Sequence, residues 1–434
     1  MTVSNVTVIG GGLAGCEAAW QLANRGIKVN LLEMRPETMS PAHSGGFLAE
    51  LVCSNSLGAL NPDTAGGLLK DELRALNSLI MECADQTSVP AGGALAVDRS
   101  IFAQLVEEKV KGHPNITVKR ELATEFPSAP GIIASGPLTD HKLAEYLGLK
   151  LGENMLFFYD AASPIIYAES IDKSKVFSAS RYGKGGDDYL NCPMTFEEYQ
   201  VFYNNLVEAE IVILKDFEGE NYFEHCLPVE VMAKRGPKTL TFGPLKPVGL
   251  TDPNTGRQPH AVVQLRHADA HGKLYNLVGF QTNLTWGEQK RVLRMIPGLE
   301  KAEFARFGVM HRNTFVNAPK IFSKNFQLRD FPGLYIAGQL SGVEGYLEST
   351  GSGLVAALDL WGTLGDRTIE FPLETLMGSL SSYVTRPNAN FQPMNANFGL
   401  LPPITSLGTK QQRRQQYAQR AREKIFLFAK DLHN

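Results

Sequence analysis

Several things are scarce in this 434-residue chain, and each scarcity excludes something. No apolar run approaches the roughly 18 residues that a membrane-spanning helix needs, so no membrane partner is expected. The first strand-like run begins at Val6, which leaves no room for a cleaved leader. The five cysteines are odd in number and form no C-x-x-C pair, which argues against a disulfide framework or a zinc ribbon. No H-x-x-x-H or Cys/His ligand spacing occurs, so no metal is expected. These absences point to a cytoplasmic protein with reduced thiols. Net charge is only −3, so any contact with nucleic acid must come from a local patch. The 43% hydrophobic and 20% charged content is ordinary, and the length suits two or three domains.

What is present begins at Val6 to Glu33, V-T-V-I-G-G-G-L-A-G-C-E-A-A-W-Q-L-A-N-R-G-I-K-V-N-L-L-E. It reads as strand, glycine turn, helix, strand and terminal acid. Gly10, Gly12 and Gly15, with Gly11 between, fit G-x-G-x-x-G, the turn that lets a backbone approach a pyrophosphate. The helix from Leu13 is expected to end at Gly26 as a left-handed cap, and its N-terminus offers free N–H groups to phosphate. Glu33 stands where a carboxylate accepts from a ribose hydroxyl.

Met34 to Leu60 is loop-rich, and long loops in compact domains are usually functional. Helices are predicted over Gly67–Ser78 and Arg99–Lys111, and strands over Ile116–Lys119 and Gly131–Ser135. From Leu151 the texture changes to aromatic strands, Leu156–Tyr159 and Ile165–Ala168, and then to mixed segments without a second G-x-G-x-x-G. The expected layout is an α/β FAD-binding Rossmann-like domain of the two-dinucleotide-fold type, from residues 1–150 and 305–434, with an inserted α+β domain at 151–304. The nucleotide fold resumes at Gly333–Gly338, followed by a glycine-rich run and a helix from about Glu348. Gly338, Gln339, Gly345, Tyr346 and Gly351 are its candidate cofactor contacts, and a late return of this kind favours FAD over NAD as the tightly held cofactor. The copies of N-A-N-F at Asn388 and Asn395 do not make a repeat architecture.

The final segment opens with a capping box, Thr409 and Gln412. Between Lys410 and Lys430 it holds seven basic residues and one acid. Arg413, Tyr417, Arg420 and Lys424 share a helical stripe beside the apolar stripe of Ala418, Ala421, Ile425, Phe428 and Leu432. Such a stripe is either a solvated face or a contact for a polyanion. Among the thiols, Cys16, Cys83 and Cys192 read as inert. Cys53, in L-V-C-S-N-S-L-G, and Cys226, in F-E-H-C-L-P, sit in polar surroundings that suit a thiolate as well as an inert thiol. His311 lies in the polar stretch G-V-M-H-R-N-T-F-V-N-A-P-K.

Together, V-I-G-G-G-L-A-G-C-E-A-A, L-L-E-M-R-P, L-V-C-S-N-S-L-G-A, G-V-M-H-R-N-T-F-V-N-A-P, A-G-Q-L-S-G-V-E-G-Y and F-Q-P-M-N-A-N-F-G-L-L-P resemble the folate- and FAD-dependent tRNA (uracil-5-)-methyltransferase family, from Val8 to Pro402. The glycine motif is widespread among flavoproteins; the cysteine loop and the two late motifs are specific. The resemblance implies that NADH or NADPH reduces bound FAD and that 5,10-methylenetetrahydrofolate supplies the carbon. The product is then 5-methyluridine in the tRNA T-loop, position 54. It places the two functional cysteines at Cys226, as nucleophile on uracil carbon 6, and Cys53, as base or its partner. It places His311 against the folate pterin. No protein partner is readable. Two other readings stand beside it. One is the sister family of FAD- and folate-dependent wobble-uridine modifying enzymes, which carries a long extra C-terminal helical domain where this chain stops at Asn434. The other is a small-molecule flavoprotein oxidoreductase without RNA.

Overall fold

The computed structural model describes residues 5–40, 42–152, 155–161, 163–183, 186–212, 227–308, 310–388, 391–405 and 408–432, excepting the side chains of 155–161 and 310–312. The near-continuous apolar runs around Val8 and Ile132 form a parallel sheet buried on both faces. Its strands are β1 (Val6–Ile9), β2 (Val29–Glu33), β3 (Ile116–Arg120), β4 (Gly131–Ile133) and β5 (Leu334–Ile336), ordered β3-β2-β1-β4-β5. Val8 stands opposite Leu31 on one side and Ile132 on the other. The order reverses between β1 and β4, which opens a crevice at their carboxyl ends.

Helix α1 (Leu13–Ala23) follows β1 and is buried almost throughout, between the sheet and a later helix. It ends three residues before the expected cap: Asn24 closes it, and Gly26, at φ 80°, turns the chain toward β2. The single helix expected over Gly67–Ser78 is instead two. Ala65–Ala75 is followed by Asn77 at φ 54°, and Ser78 then caps Leu79–Gln86 by accepting from Met81 N. Helix α2 (Arg99–Gly112) starts at Asp98, whose side chain accepts from the Ser100 and Ile101 amides. A short helix α3 (Val229–Lys234), the long α4 (Tyr346–Leu364) and α5 (Lys410–Leu432) complete the set that matters here. The capping box at α5 is present: Gln412 N donates to Thr409 Oγ1 at 3.3 Å, and Thr409 N to Gln412 Oε1 at 2.9 Å.

The stretch with mixed texture holds a six-stranded antiparallel sheet, in the order Phe177–Ser178, Tyr189–Met194, Ala261–His267, Leu274–Leu277, Ile165–Tyr167 and Phe304–Arg306. Strands 155–161 and 310–316, one leading in and one leading out, pair with each other. The larger hydrophobic core draws on residues between Val6 and Leu151 and between Phe315 and Ala429; the smaller spans Ile166 to Ala302.

Helices α1 and α4 cross at close range because small residues meet there. A Cβ on Gly353 would stand 2.2 Å from Ala14 O, inside any allowed contact. Gly353→Val therefore forces the helices apart, and overpacking of this kind costs about 1–3 kcal/mol or more. The expected result is a lowered midpoint in denaturant unfolding; an unchanged midpoint would show that the crossing is slack.

Candidate active site

At the reversal between β1 and β4 lies a cavity that is partly open to solvent. Gly10, Gly12, Leu13 and Ala14 line it from the first glycine turn, Ser135 to Thr139 from the end of β4, and Gly338, Gln339, Tyr346 and Ser349 from the late return. Helix α1 presents its N-terminus here with no side-chain cap at Gly12, so its first amides are open to a ligand. A Cβ at Gly12 would meet nothing within 4 Å and would stand in the cavity itself. Gly15 has a different duty, since a Cβ there would come within 1.8 Å of Gly10 O. Its bareness lets the helix sit against the turn.

Glu33 marks one end of the cavity. One of its oxygens accepts from Gly11 N at 2.7 Å, and the other from Arg35 N at 3.0 Å and Arg35 Nε at 2.8 Å. Burial pushes its carboxyl up, but the Arg35 guanidinium and the two amides outweigh it and hold the group below the usual carboxylate range. It is thus an ionised acceptor, with three of its roughly four lone-pair sites taken up by these donors. Gly11, by contrast, binds the acid rather than lining the cavity. Gly345 faces Glu348, and Gly351 faces Met377, away from the cavity; of the late glycines only Gly338 lines it. Helix α4 begins at Tyr346, two residues earlier than expected.

Tyr346 marks the other end, with Val52 beside it. Its Oη accepts from Cys53 N at 2.9 Å and Ser54 N at 3.1 Å. Three arginines grip the same loop. Arg99, the first residue of α2, donates to Cys53 O at 2.9 Å; Arg306 donates to Val52 O at 2.7 Å; Arg266 reaches Ser54 Oγ at 2.8 Å and Asn55 Oδ1 at 2.9 Å. Asn55 Nδ2 donates in turn to Val97 O and His267 O. Arg266 and Arg306 come from the antiparallel sheet, so the Cys53 loop is held between the two cores. None of the three arginines was singled out from the sequence. The signal for Arg266 was available: a charged residue inside the apolar strand A-V-V-Q-L-R-H is buried only for a reason.

Cys16, Cys83 and Cys192 are buried, and burial above all pushes each thiol up, Cys83 to about 12. Cys226 lies outside the described residues, directly before Leu227 and α3. The backbone of His311 pairs with that of Asp160, and its side chain lies outside the described residues.

On α5, Arg413 is exposed, but the rest of the stripe is engaged with the protein. Arg420 donates to Pro402 O and Pro403 O, Tyr417 stacks on Phe398 with centroids 5.9 Å apart, and Lys424 approaches Glu374 at 3.8 Å. Among the described residues no helix is long and apolar enough to cross a membrane.

Comparison with known proteins agrees with this geometry. Residues 5–366 match the family model for glucose inhibited division protein A. A methylenetetrahydrofolate–tRNA-(uracil-5-)-methyltransferase, TrmFO, of Anoxybacillus flavithermus is 57% identical over 430 residues, covering 98% of this chain and all of that one. The TrmFO of Pelotomaculum thermopropionicum is 56% identical over 436 residues, covering both chains in full. Among solved structures, GidA of Aquifex aeolicus superposes with a TM-score of 0.68 at 16% identity, over 99% of this chain and 74% of that one, a likeness of fold. With its cavity at the β1/β4 reversal, its tethered cysteine loop and relatives this similar end to end, the chain belongs to the methylenetetrahydrofolate–tRNA-(uracil-5-)-methyltransferase family within the glucose inhibited division protein A family.

Proposed function

We propose that this protein methylates carbon 5 of a uridine in the tRNA T-loop, at position 54, with 5,10-methylenetetrahydrofolate as carbon donor and FAD as resident cofactor. The observation that carries the reading is a single one: the Cys53 loop is fastened by Tyr346 to one end of a cavity whose other end is the ionised Glu33. That spacing suits an extended dinucleotide with its ribose at Glu33, its pyrophosphate at Gly12 and the α1 N-terminus, and its redox ring beside Tyr346 and Cys53. FAD reduced by NADH or NADPH supplies the electrons that turn a methylene unit into a methyl. A tRNA substrate places the protein in the cytoplasm.

The chain's own residues supply the rest. Uracil carbon 5 becomes nucleophilic only when something adds at carbon 6, and Cys226 is assigned that addition. Once the one-carbon unit is on carbon 5, the proton there passes to Cys53, and Cys226 leaves as the double bond re-forms. His311 is assigned the pterin face. We take residues 151–304, with Cys226, as an inserted domain that brings the base to the cavity. The wobble-uridine and RNA-free readings have no observation here in their favour.

Three measurements check this reading. Purified protein should carry about one FAD per chain, and Gly12→Val should lose it, because the new side chain occupies the cavity where the pyrophosphate would lie; protein that cannot be reconstituted with FAD would refute the cofactor. RNA carrying 5-fluorouracil at the target should trap a covalent complex, since fluorine does not leave as a proton. Cys226→Ala should abolish the trapped band, and Cys83→Ala and Cys192→Ala should spare it. If Cys53→Ala removes the adduct and Cys226→Ala retains it, the roles are reversed.

The third measurement concerns α5. Arg420 is tied to the Pro402–Pro403 backbone, so the outward charge of the first two turns is that of Lys410, Arg413 and Arg414. Charge on a rigid helix holds phosphates without reading sequence. Arg413→Ala with Arg414→Ala should weaken tRNA binding and flatten its salt dependence by roughly 0.7–0.9 per lost phosphate contact. FAD content should not change. Wild-type affinity and salt slope would move the RNA elsewhere, with the exposed Lys234 and Lys238 behind Cys226 the next surface to test.

A further inference from the structure

Three guanidinium groups converge on one short loop from three different elements, and among the described residues none has a carboxylate partner. Arg99, Arg266 and Arg306 form no ion pair there; their contacts are to carbonyl, hydroxyl and amide oxygens of Val52, Cys53, Ser54 and Asn55, with one contact from Arg306 to Ala42 O and one from Arg266 to the Tyr189 side chain. Arg266 is 6% exposed. Arg99 has its Nε buried with no hydrogen-bond partner among the described residues. Buried arginines are ordinarily matched by anions, because the desolvated charge is otherwise uncompensated. The acids nearby do not serve. Asp98 is held by the Ser100, Ile101 and Ala270 amides, and Glu50 by Ser44, Gly45 and Arg35.

The remaining titratable groups facing the loop are Tyr346, and Tyr189 and His267 on the antiparallel sheet. The Tyr346 phenol is pushed up, first by burial and then by Cys53, so it stays neutral. Burial depresses both Arg99 and Arg266, and Cys53 is one of the groups that draw each back up. The other described thiols are buried in apolar surroundings; Cys16 and Cys83 each have one cation acting on them, Arg35 and Lys109, and burial outweighs it.

We propose that the missing counter-charge is the sulfur of Cys53, and that Arg99, Arg266 and Arg306 are positioning residues that hold this thiol as a thiolate at neutral pH. Arg99, with its orphaned Nε, contributes most. A base can take the carbon-5 proton only if its own proton has already gone. Here that proton passes to solvent in the resting enzyme; the S–H bond formed when Cys53 accepts the uracil proton is broken the same way before the next turnover. The loop hydrogen bonds fix where the sulfur stands, and the uncompensated charge fixes its protonation state. The same four arginine-bound residues thus serve both purposes.

The inference rests on Cys53 as the proton-accepting thiol, but its test needs neither RNA nor folate. The native holoenzyme is alkylated with iodoacetamide across pH 5.5–9.5, and the Cys53 peptide is followed by mass spectrometry. The midpoint of the pH profile is read rather than the rate, because intrinsic thiol reactivity changes with pKa. The wild-type midpoint is expected about one unit or more below the ordinary ~8.5 of a free cysteine. Arg99→Gln should raise it by about one unit, a tenfold loss of thiolate at neutral pH, and Arg99→Lys should restore most of the shift. Arg306→Gln removes a charge from a residue bonded only to backbone carbonyls and serves should the Arg99 variants fail to fold. A purely structural role for the arginines would change accessibility without moving the midpoint. A wild-type midpoint at or above 8.5 overturns the proposal, and so do Gln variants with the wild-type midpoint. Methylation by an enzyme whose Cys53 titrates ordinarily would refute this inference alone; a low midpoint without methylation would refute the function alone.

Discussion

Tyr346 Oη accepts two amide hydrogens from residues that lie 293 and 292 positions earlier in the chain, at Cys53 and Ser54. A phenol oxygen has two acceptor positions, and both are spent on one loop. That expenditure decides where the thiol stands. The loop has no helix or strand of its own at these residues, so nothing local fixes its path. Removing the hydroxyl would orphan two amides, each costing about 1–3 kcal/mol where water is excluded.

The fold positions Tyr346 through α4, and α4 through its contact with α1. Helix α1 is set by the glycine turn after β1, where Gly15 rests on Gly10 O, and α4 lies against α1 where Gly353 faces Ala14. Small residues therefore act in series. Each permits a close approach, and together they bring the N-termini of two helices and the end of β4 around one cavity. The antiparallel sheet enters at the far end, through Arg266 and Arg306, and shares the Cys53 loop with the parallel one.

Charge is arranged differently at the two ends of the cavity. At Glu33 an acid is neutralised by Arg35 and two amides. At Cys53 the oxygens that the arginines meet among the described residues are neutral. On the proposed reading, the balanced end binds and the unbalanced end sets a protonation state.

The strand–turn–helix–strand order of Val6 to Glu33 could be read from the sequence because its information is local, although the helix ends at Ala23 rather than at Gly26: a glycine turn needs bare Cα atoms at fixed spacing, a helix needs its period, and an acid at a strand end follows in order. The capping box of α5 was legible for the same reason, as were the inert thiols of Cys16, Cys83 and Cys192 in apolar patterns. Local signals failed where two short-range options compete, as at Asn77, where a left-handed residue splits one expected helix into two. They gave nothing on Arg99, Arg266 and Arg306, whose partners are 46, 211 and 254 residues away. They also painted Arg413, Tyr417, Arg420 and Lys424 as one face, because helical spacing is local, whereas the carbonyls of Pro402 and Pro403 that engage Arg420 are not part of the helix. Sequence alone determined which chemistry the chain carries. Tertiary structure decided which charges are spent inside the protein and which are left to act, because a guanidinium takes its meaning from the acceptor that long-range packing puts in front of it.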